Sequence, residues 1–99
     1  MMDERLRFTV PLFEWEGKAA WFYVIVPVDE SAEIADSPRM RRGFGSVRVR
    51  VTVGATTWTT SVFPQARSNT YMLPMKKAVR VAENLEGDDL VTVDLELLE

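Results

Sequence analysis

The chain has 99 residues, of which 46% are hydrophobic and 10% aromatic, which is enough apolar material for the core of one small domain. Cysteine and histidine are both absent, so the sequence excludes disulfides, thiolate zinc sites and the commonest general base. The net charge of -3 conceals an asymmetry, because residues 37–81 carry nine cations and no acid, whereas all 15 acids lie towards the two ends.

Targeting and membrane segments are not expected. The N-terminal residues MMDERLRF lack the basic and apolar regions of a secretory signal peptide. The longest apolar run, residues 19–28, has only half the length that a membrane-spanning helix needs. The sequence therefore predicts a single domain over residues 1–99 that is cytoplasmic, has no contact with a membrane and uses no cofactor.

The N-terminal half reads as two strands followed by a short helix. Residues 5–13 alternate between polar and apolar side chains and predict a first strand, with a turn around Gly17 after it. Residues 20–27 are apolar on both faces and predict a strand that needs cover on both sides, from the interior and from a helix or a second subunit. Residues 29–36 favour about two turns of helix, and residues 37–45 a loop. The inward side chains of the first strand are Leu6, Phe8, Val10 and Leu12.

The clearest pattern is SVRVRVTVGATTWTTSVF, residues 46–63, which predicts a β-hairpin around Gly54. Strand alternation places its valines on a core face and its arginines on the opposite face. The turn is either Val53-Gly54 or Gly54-Ala55, and both registers leave the two faces unchanged. The core face comprises Val47, Val49, Val51, Val53, Trp58, Thr60 and Val62. The other face comprises Arg48, Arg50, Thr52, Thr57, Thr59 and Ser61.

The C-terminal third predicts a short strand, a helix and a last strand. Residues 71–73 favour a strand, and Pro74 suits the first turn of a helix whose apolar positions recur at helical spacing. Gly87 and Asp88 form a turn before an alternating strand over residues 90–98. The apolar helix positions are Met75, Ala78, Val79, Ala82 and Leu85, and the inward strand positions are Val91, Val93, Leu95 and Leu97.

Residues along nearly the whole chain carry a family resemblance. They are Trp21-Phe22-Tyr23-Val24, Pro27, Arg42-Gly43, Val47 to Val51, Gly54, Trp58, Ser61, Pro64, Tyr71, Leu73-Pro74, Lys77, Arg80 and Gly87-Asp88. This series resembles domain-of-unknown-function family nineteen-oh-five. The resemblance implies a mostly β fold, a small closed barrel of about six strands with one or two short helices. It also implies a bacterial protein, sometimes fused to a domain associated with bacteriocin protection, and it implies no reaction.

A second resemblance covers the C-terminal third alone. A proline-started helix, the turn at Gly87-Asp88 and a following strand are similar to swapped-hairpin transcription factors of the AbrB type. Those proteins interlock two short chains to bind DNA, so this resemblance implies a nucleic-acid-binding regulator as the alternative function. Aromatic side chains between the cations would favour single-stranded nucleic acid, but Phe44 is the only ring plainly among the arginines. Nucleic acid is therefore the less favoured partner.

The residue types give no support to catalysis. Ser61 has no histidine to activate it, and a lysine base would have to come from Lys76 or Lys77. Asp88 is explained by the turn, and Asp94 and Glu96 by a solvated strand face. The sequence therefore predicts a protein that is not an enzyme and binds no metal.

One set of residues predicts a binding site. Guanidinium groups pair with carboxylate or phosphate in a bidentate manner, and neighbouring hydroxyls add donors. A strip of basic and hydroxyl side chains on and around the hairpin therefore predicts a module that binds a small anionic ligand. The alternative is that Arg48 and Arg50 pair with acids such as Asp94 or Glu96 across strands. A third interpretation, an interaction module, predicts an apolar patch near Trp21 and a homodimer. The strip comprises Arg42, Arg48, Arg50, Thr57, Thr59, Ser61, Arg67 and Lys77.

Overall fold

The computed structural model describes residues 5–15, 17, 21–37 and 45–98. Its strands are β1 Arg5–Pro11, β2 Phe13–Trp15, β3 Trp21–Val26, β4 Val47–Val53, β5 Thr56–Gln65, β6 Thr70–Met75 and β7 Leu90–Leu97. The helices are α1 Val28–Asp36 and α2 Lys77–Ala82. All pairings are antiparallel, and the strand order is β1-β7-β4-β5-β6-β3-β2. The mostly β prediction and both helices are confirmed, and no helix within the described ranges is long and apolar enough to cross a membrane.

The sheet forms an open half-barrel, so the prediction of a closed barrel of about six strands is wrong. Residues 5–13 do not form one strand, because the chain bends at Leu12 and contributes β1 to one end of the sheet and β2 to the other. The backbone of Leu12 is held by Asp88 and Asp89 through two hydrogen bonds of 2.9 Å. Since β1 and β2 pair with β7 and β3 respectively, the described strands leave the ladder open between them.

Strand β5 belongs to both halves of the sheet. From Thr56 to Val62 it pairs with β4, whereas from Phe63 to Gln65 it pairs with β6. Beyond Met72, strand β6 pairs with β3 alone among the described strands. Strands β5 and β6 therefore run together at one end and part at the other.

The start of α2 corrects the prediction at Pro74. This residue lies in β6 opposite Tyr23, and the helix begins only at Lys77. Local spacing suggested a helix because Met75 fits both a 3.6-residue and a two-residue period; in the sheet, Tyr71, Leu73 and Met75 alternate inward and are buried. Proline has no N–H to donate, which is tolerated where a strand has a neighbour on one side only.

The hairpin is confirmed, including the assignment of its faces. All four valines of β4 are buried, whereas Arg48 and Arg50 are exposed. The pairing of Val53 with Thr56 leaves Gly54-Ala55 as the turn, and Gly54 has the positive φ of 59° that this position needs. The inward positions of β7 are also buried: Val91, Val93, Leu95 and Leu97.

Two polar contacts attach the helices to the sheet. The buried hydroxyl of Ser31 in α1 donates to the carbonyl of Val26 at 2.9 Å and accepts from the amide of Tyr71 at 3.0 Å. At the other end of the fold, the Glu83 carboxylate accepts from Thr56 Oγ1 at 2.6 Å and from the Ala55 amide at 3.3 Å. We call this second contact the Glu83 clasp, because it fastens the end of α2 to the hairpin turn.

Candidate functional site

The outer face of the sheet, which points away from the core, gathers part of the predicted strip. Register places Arg48 opposite Ser61, Arg50 opposite Thr59 and Thr52 opposite Thr57. The hydroxyls of Thr52 and Thr57 lie 2.9 Å apart. Two arginines and three hydroxyl side chains of the strip therefore share one surface, as the alternation predicts.

The remaining members of the strip are not brought to that surface. Arg67 lies in the turn between β5 and β6, whereas Lys77 begins α2 at the opposite end of β6. Arg42 lies outside the described residues. Arg48 is exposed and has no ion pair within the part of the chain that the structure describes.

A charged pocket of about 560 Å³ lies on the outer face next to the strip. Arg50 Nη1 and Glu96 Oε1 are 3.0 Å apart, and Arg7 Nε and Asp94 Oδ1 are 3.6 Å apart. Both pairs are largely solvated, so each is worth about 0.5 kcal/mol. For Arg50, the structure therefore shows the alternative interpretation, in which the guanidinium pairs with an acid on the neighbouring strand. The pocket is lined by Arg5, Arg7, Arg50, Thr52, Thr57, Asp94, Leu95 and Glu96.

The other end of the outer face is apolar. Phe13 and Trp15 on β2 lie opposite Tyr23 and Trp21 on β3, and we call these four side chains the aromatic face. Their ring centroids are 5.6 Å apart for Phe13 and Tyr23, 6.1 Å for the two tryptophans and 5.4 Å for Trp21 and Tyr23. Trp15 is 53% exposed, Phe13 38% and Trp21 36%.

The aromatic face is partly visible in the sequence. The apolar pattern of β3 predicts that the side of Trp21 and Tyr23 needs cover, and no described helix covers it. Phe13 and Trp15 were not predicted as its neighbours, although their alternation around Glu14 is a signal for it. The bend at Leu12, which carries them to β3, has no such signal.

A cleft opens where β5 and β6 part, with a volume of about 290 Å³. Its walls are largely apolar, and Lys76 lies at its rim. The Arg80 guanidinium stacks 3.8 Å from the centre of the Phe22 ring and donates to the Met75 carbonyl at 3.2 Å, which fixes one wall. The lining includes Trp21, Phe22, Trp58, Pro74, Met75 and Lys76.

The comparison with protein families identifies the chain. A family model described as "Domain of unknown function (DUF1905)" matches residues 8–95. The chain belongs to the DUF1905 family. This confirms the first resemblance, and a search of curated proteins finds no match. The aromatic face and the cleft lie wholly within the matched part of this DUF1905 domain, whereas Arg5, Arg7 and Glu96 of the charged pocket lie outside it.

Metal-binding groups are not clustered in this part of the molecule. Among the described residues, no group of three or more aspartate or glutamate side chains is placed to hold an ion. Among the described residues, three surfaces have features of a binding site: the charged pocket, the aromatic face and the cleft.

Proposed function

We propose that this DUF1905 domain is a non-enzymatic interaction module that binds an apolar polypeptide segment of another protein on its aromatic face. The observation that carries the proposal is a cluster of four large rings on the outer side of the sheet, three of them more than a third exposed. Tryptophan, tyrosine and phenylalanine side chains are enriched at protein interaction sites.

The energetics favour an apolar partner. If each ring has about 200 Å² of surface, the exposed fractions of Phe13, Trp15 and Trp21 leave roughly 250 Å² of aromatic surface in water. Covering that area is worth about 6 kcal/mol before the cost of association is subtracted. Because the rings already pack against one another, little side-chain entropy remains to be lost on binding.

The arrangement of the rings favours a polypeptide over a nucleic acid. Neighbouring rings are tilted by 32°, 35° and 42° and are in contact, so their faces partly cover one another. Base stacking instead uses separate rings with free faces beside a basic groove. A continuous hydrocarbon surface suits aliphatic and aromatic side chains.

Selection from a library of random displayed peptides tests this proposal. We expect enriched peptides to contain aromatic and aliphatic side chains, and W15S to weaken their binding by about tenfold or more, measured by fluorescence anisotropy. The matched control is L90S, because Leu90 is 71% exposed but lies on β7, and its effect should be below about twofold.

Two results would contradict the proposal. One is that no selected peptide distinguishes W15S from the unmodified domain. The other is that light scattering shows a homodimer that W15S dissociates, since a second copy of the chain would then occupy the aromatic face.

A second candidate function is supported by the charged pocket. Three guanidinium groups and two carboxylates line it, which leaves one net positive charge for a carboxylate or phosphate ligand. Such a ligand would replace Glu96 as the partner of Arg50, and that exchange costs little at an exposed pair.

Thermal unfolding tests the second candidate with phosphate and citrate as probes. We expect a rise in Tm with millimolar citrate that R50Q abolishes and that R48Q retains, because Arg48 does not line the pocket. An unchanged Tm with both anions, or an equal rise in R50Q, would exclude this candidate.

The nucleic-acid alternative has less support. Arg7 and Arg50 already have acidic partners, and acids alternate with them across the outer face. A phosphate backbone would therefore meet a surface of mixed charge, which gives weak non-specific binding. The alternative stays a prediction, which retention on heparin at low salt would favour.

A further inference from the structure

We infer that the cleft accepts the partner segment as an added strand, hydrogen-bonded along the free edge of β5. This inference rests on the proposed function and names how the partner binds, because Trp21 belongs both to the aromatic face and to the lining of the cleft, so that one segment can contact both. The segment would pair with the backbone of Thr57, Thr59 and Ser61 and bury alternate side chains between Trp58 and Met75.

The direction of the backbone groups follows from the register. The Leu98 amide donates to the Arg48 carbonyl at 2.9 Å, so Arg48 directs its backbone towards β7. Because these directions alternate along an antiparallel strand, Val49 and Val51 face β5 and bond Thr60 and Trp58. Thr57, Thr59 and Ser61 therefore direct their N–H and C=O groups to the opposite edge, where the cleft lies. No described strand pairs with that stretch.

The edge of β6, which forms the opposite wall of the cleft, is less suited than β5 to hydrogen bonding with an added strand. Proline at position 74 has no N–H, so the corresponding edge of β6 lacks a donor at that residue. Strand β5 offers three donors and three acceptors in a row. An incoming segment would therefore pair with β5 and only pack against β6.

The separation of the two strands suits one additional strand. Helix α2 leaves β6 near Lys76, and the Glu83 clasp fastens its end to the first residues of β5. Seven residue steps from Lys76 to Glu83 at about 1.5 Å each make this connection roughly 10 Å long. Two strand spacings amount to about 9.6 Å, which is the separation needed to admit one strand between β5 and β6.

The recessed position of this edge explains why it can stay unpaired. Exposed strand edges promote aggregation, and proteins cover or shorten them. Here the free edge of β5 lies between strands in the middle of the sheet order, so the edge of a second folded domain cannot reach it. A single extended segment can enter, as in other cases of strand addition.

Side chains of the cleft indicate the sequence of the partner. Trp58, Phe22 and Met75 provide an apolar wall, so inward positions of the segment should be aliphatic or aromatic. Lys76 is exposed at the rim and has no acidic partner among the described residues. A carboxylate at one end of the segment would form an ion pair with Lys76.

Amide hydrogen exchange measured by NMR tests the edge directly. In the free protein, the amides of Thr57, Thr59 and Ser61 should exchange at least about tenfold faster than those of Trp58 and Thr60. Addition of a peptide selected as described above should protect the fast amides. Slow exchange of all five in the free protein would overturn the inference without affecting the proposed function.

Backbone methylation of the peptide provides a matched control. Alternate residues of the bound peptide direct their N–H groups to β5. N-methyl groups on these residues should reduce affinity at least about tenfold, because they replace the N–H groups that β5 binds. N-methyl groups on the other residues face β6 and remove no hydrogen bond to β5, so they should reduce affinity less. T59P, which removes a donor that faces the cleft but not β4, should reproduce the loss in a folded protein. Binding that depends on Trp15 but is insensitive to both sets of N-methyl groups would overturn strand addition alone. If the unmodified domain binds no peptide at all, the proposed function is overturned as well.

Discussion

V49D should unfold the domain, whereas R48D should leave it folded. Val49 is fully buried between Thr60 of β5 and Leu97 of β7, and Arg48 points from the same strand to solvent. A buried carboxylate without a partner costs several kcal/mol, which is comparable with the total stability of 5–15 kcal/mol expected for a small domain. Exposed substitutions usually change stability by no more than about 0.5 kcal/mol.

Circular dichroism and urea unfolding of the two variants measure this difference. The pair is matched, because the same side chain is introduced at adjacent positions on opposite faces. A folded V49D with a midpoint close to that of R48D would show that the valines do not form the core, and the outer face described above would lose its basis.

G54A should cost about 2–4 kcal/mol of the free energy of unfolding, although it adds only a methyl group. Gly54 has a φ of 59°, and an alanine there is strained by about 1–2 kcal/mol. Its Cβ would also overlap the Glu83 carboxylate, so the clasp would have to open. The lost hydrogen bonds to Ala55 and Thr56 add about 1–2 kcal/mol.

G45A separates the two causes. Gly45 also has a positive φ, 75°, but a Cβ there would lie an ordinary 3.4 Å from Pro64 and would disturb no carboxylate. Urea unfolding should therefore give a larger loss for G54A than for G45A, and the difference measures the clasp. Equal losses would mean that the clasp contributes nothing to stability, and α2 could not then hold β5 and β6 apart.

The predicted strip of arginine and hydroxyl side chains shows how far a local sequence pattern determines a site. Alternation placed Arg50 beside Thr59 and Thr57, and the structure confirms that arrangement. The same pattern does not specify which strand lies on the other side of β4. That strand is β7, and its Glu96 forms an ion pair with the Arg50 guanidinium. The neighbours of an exposed charge therefore depend on which distant segments pair in the sheet.

Pro74 and Leu12 show where local reasoning fails. A proline followed by periodic apolar residues has the same appearance before a helix and within a strand that has one neighbour, so only the pairing with Tyr23 distinguishes them. Leu12 continues the alternation of the first strand without interruption. Its bend depends on hydrogen bonds to Asp88 and Asp89, which lie more than seventy residues away in sequence.

The sequence by itself determined the hairpin strands β4 and β5, the last strand β7, the inward and outward faces of the hairpin and its turn at Gly54, because side-chain alternation and backbone preference are local properties. It also determined the lack of histidine and cysteine chemistry. Only the tertiary structure decided that the sheet stays open, that four aromatic rings meet on β2 and β3, and that β5 has a free edge. These features depend on which distant segments pair, and the free energy that selects the pairing comes from burying the whole core at once.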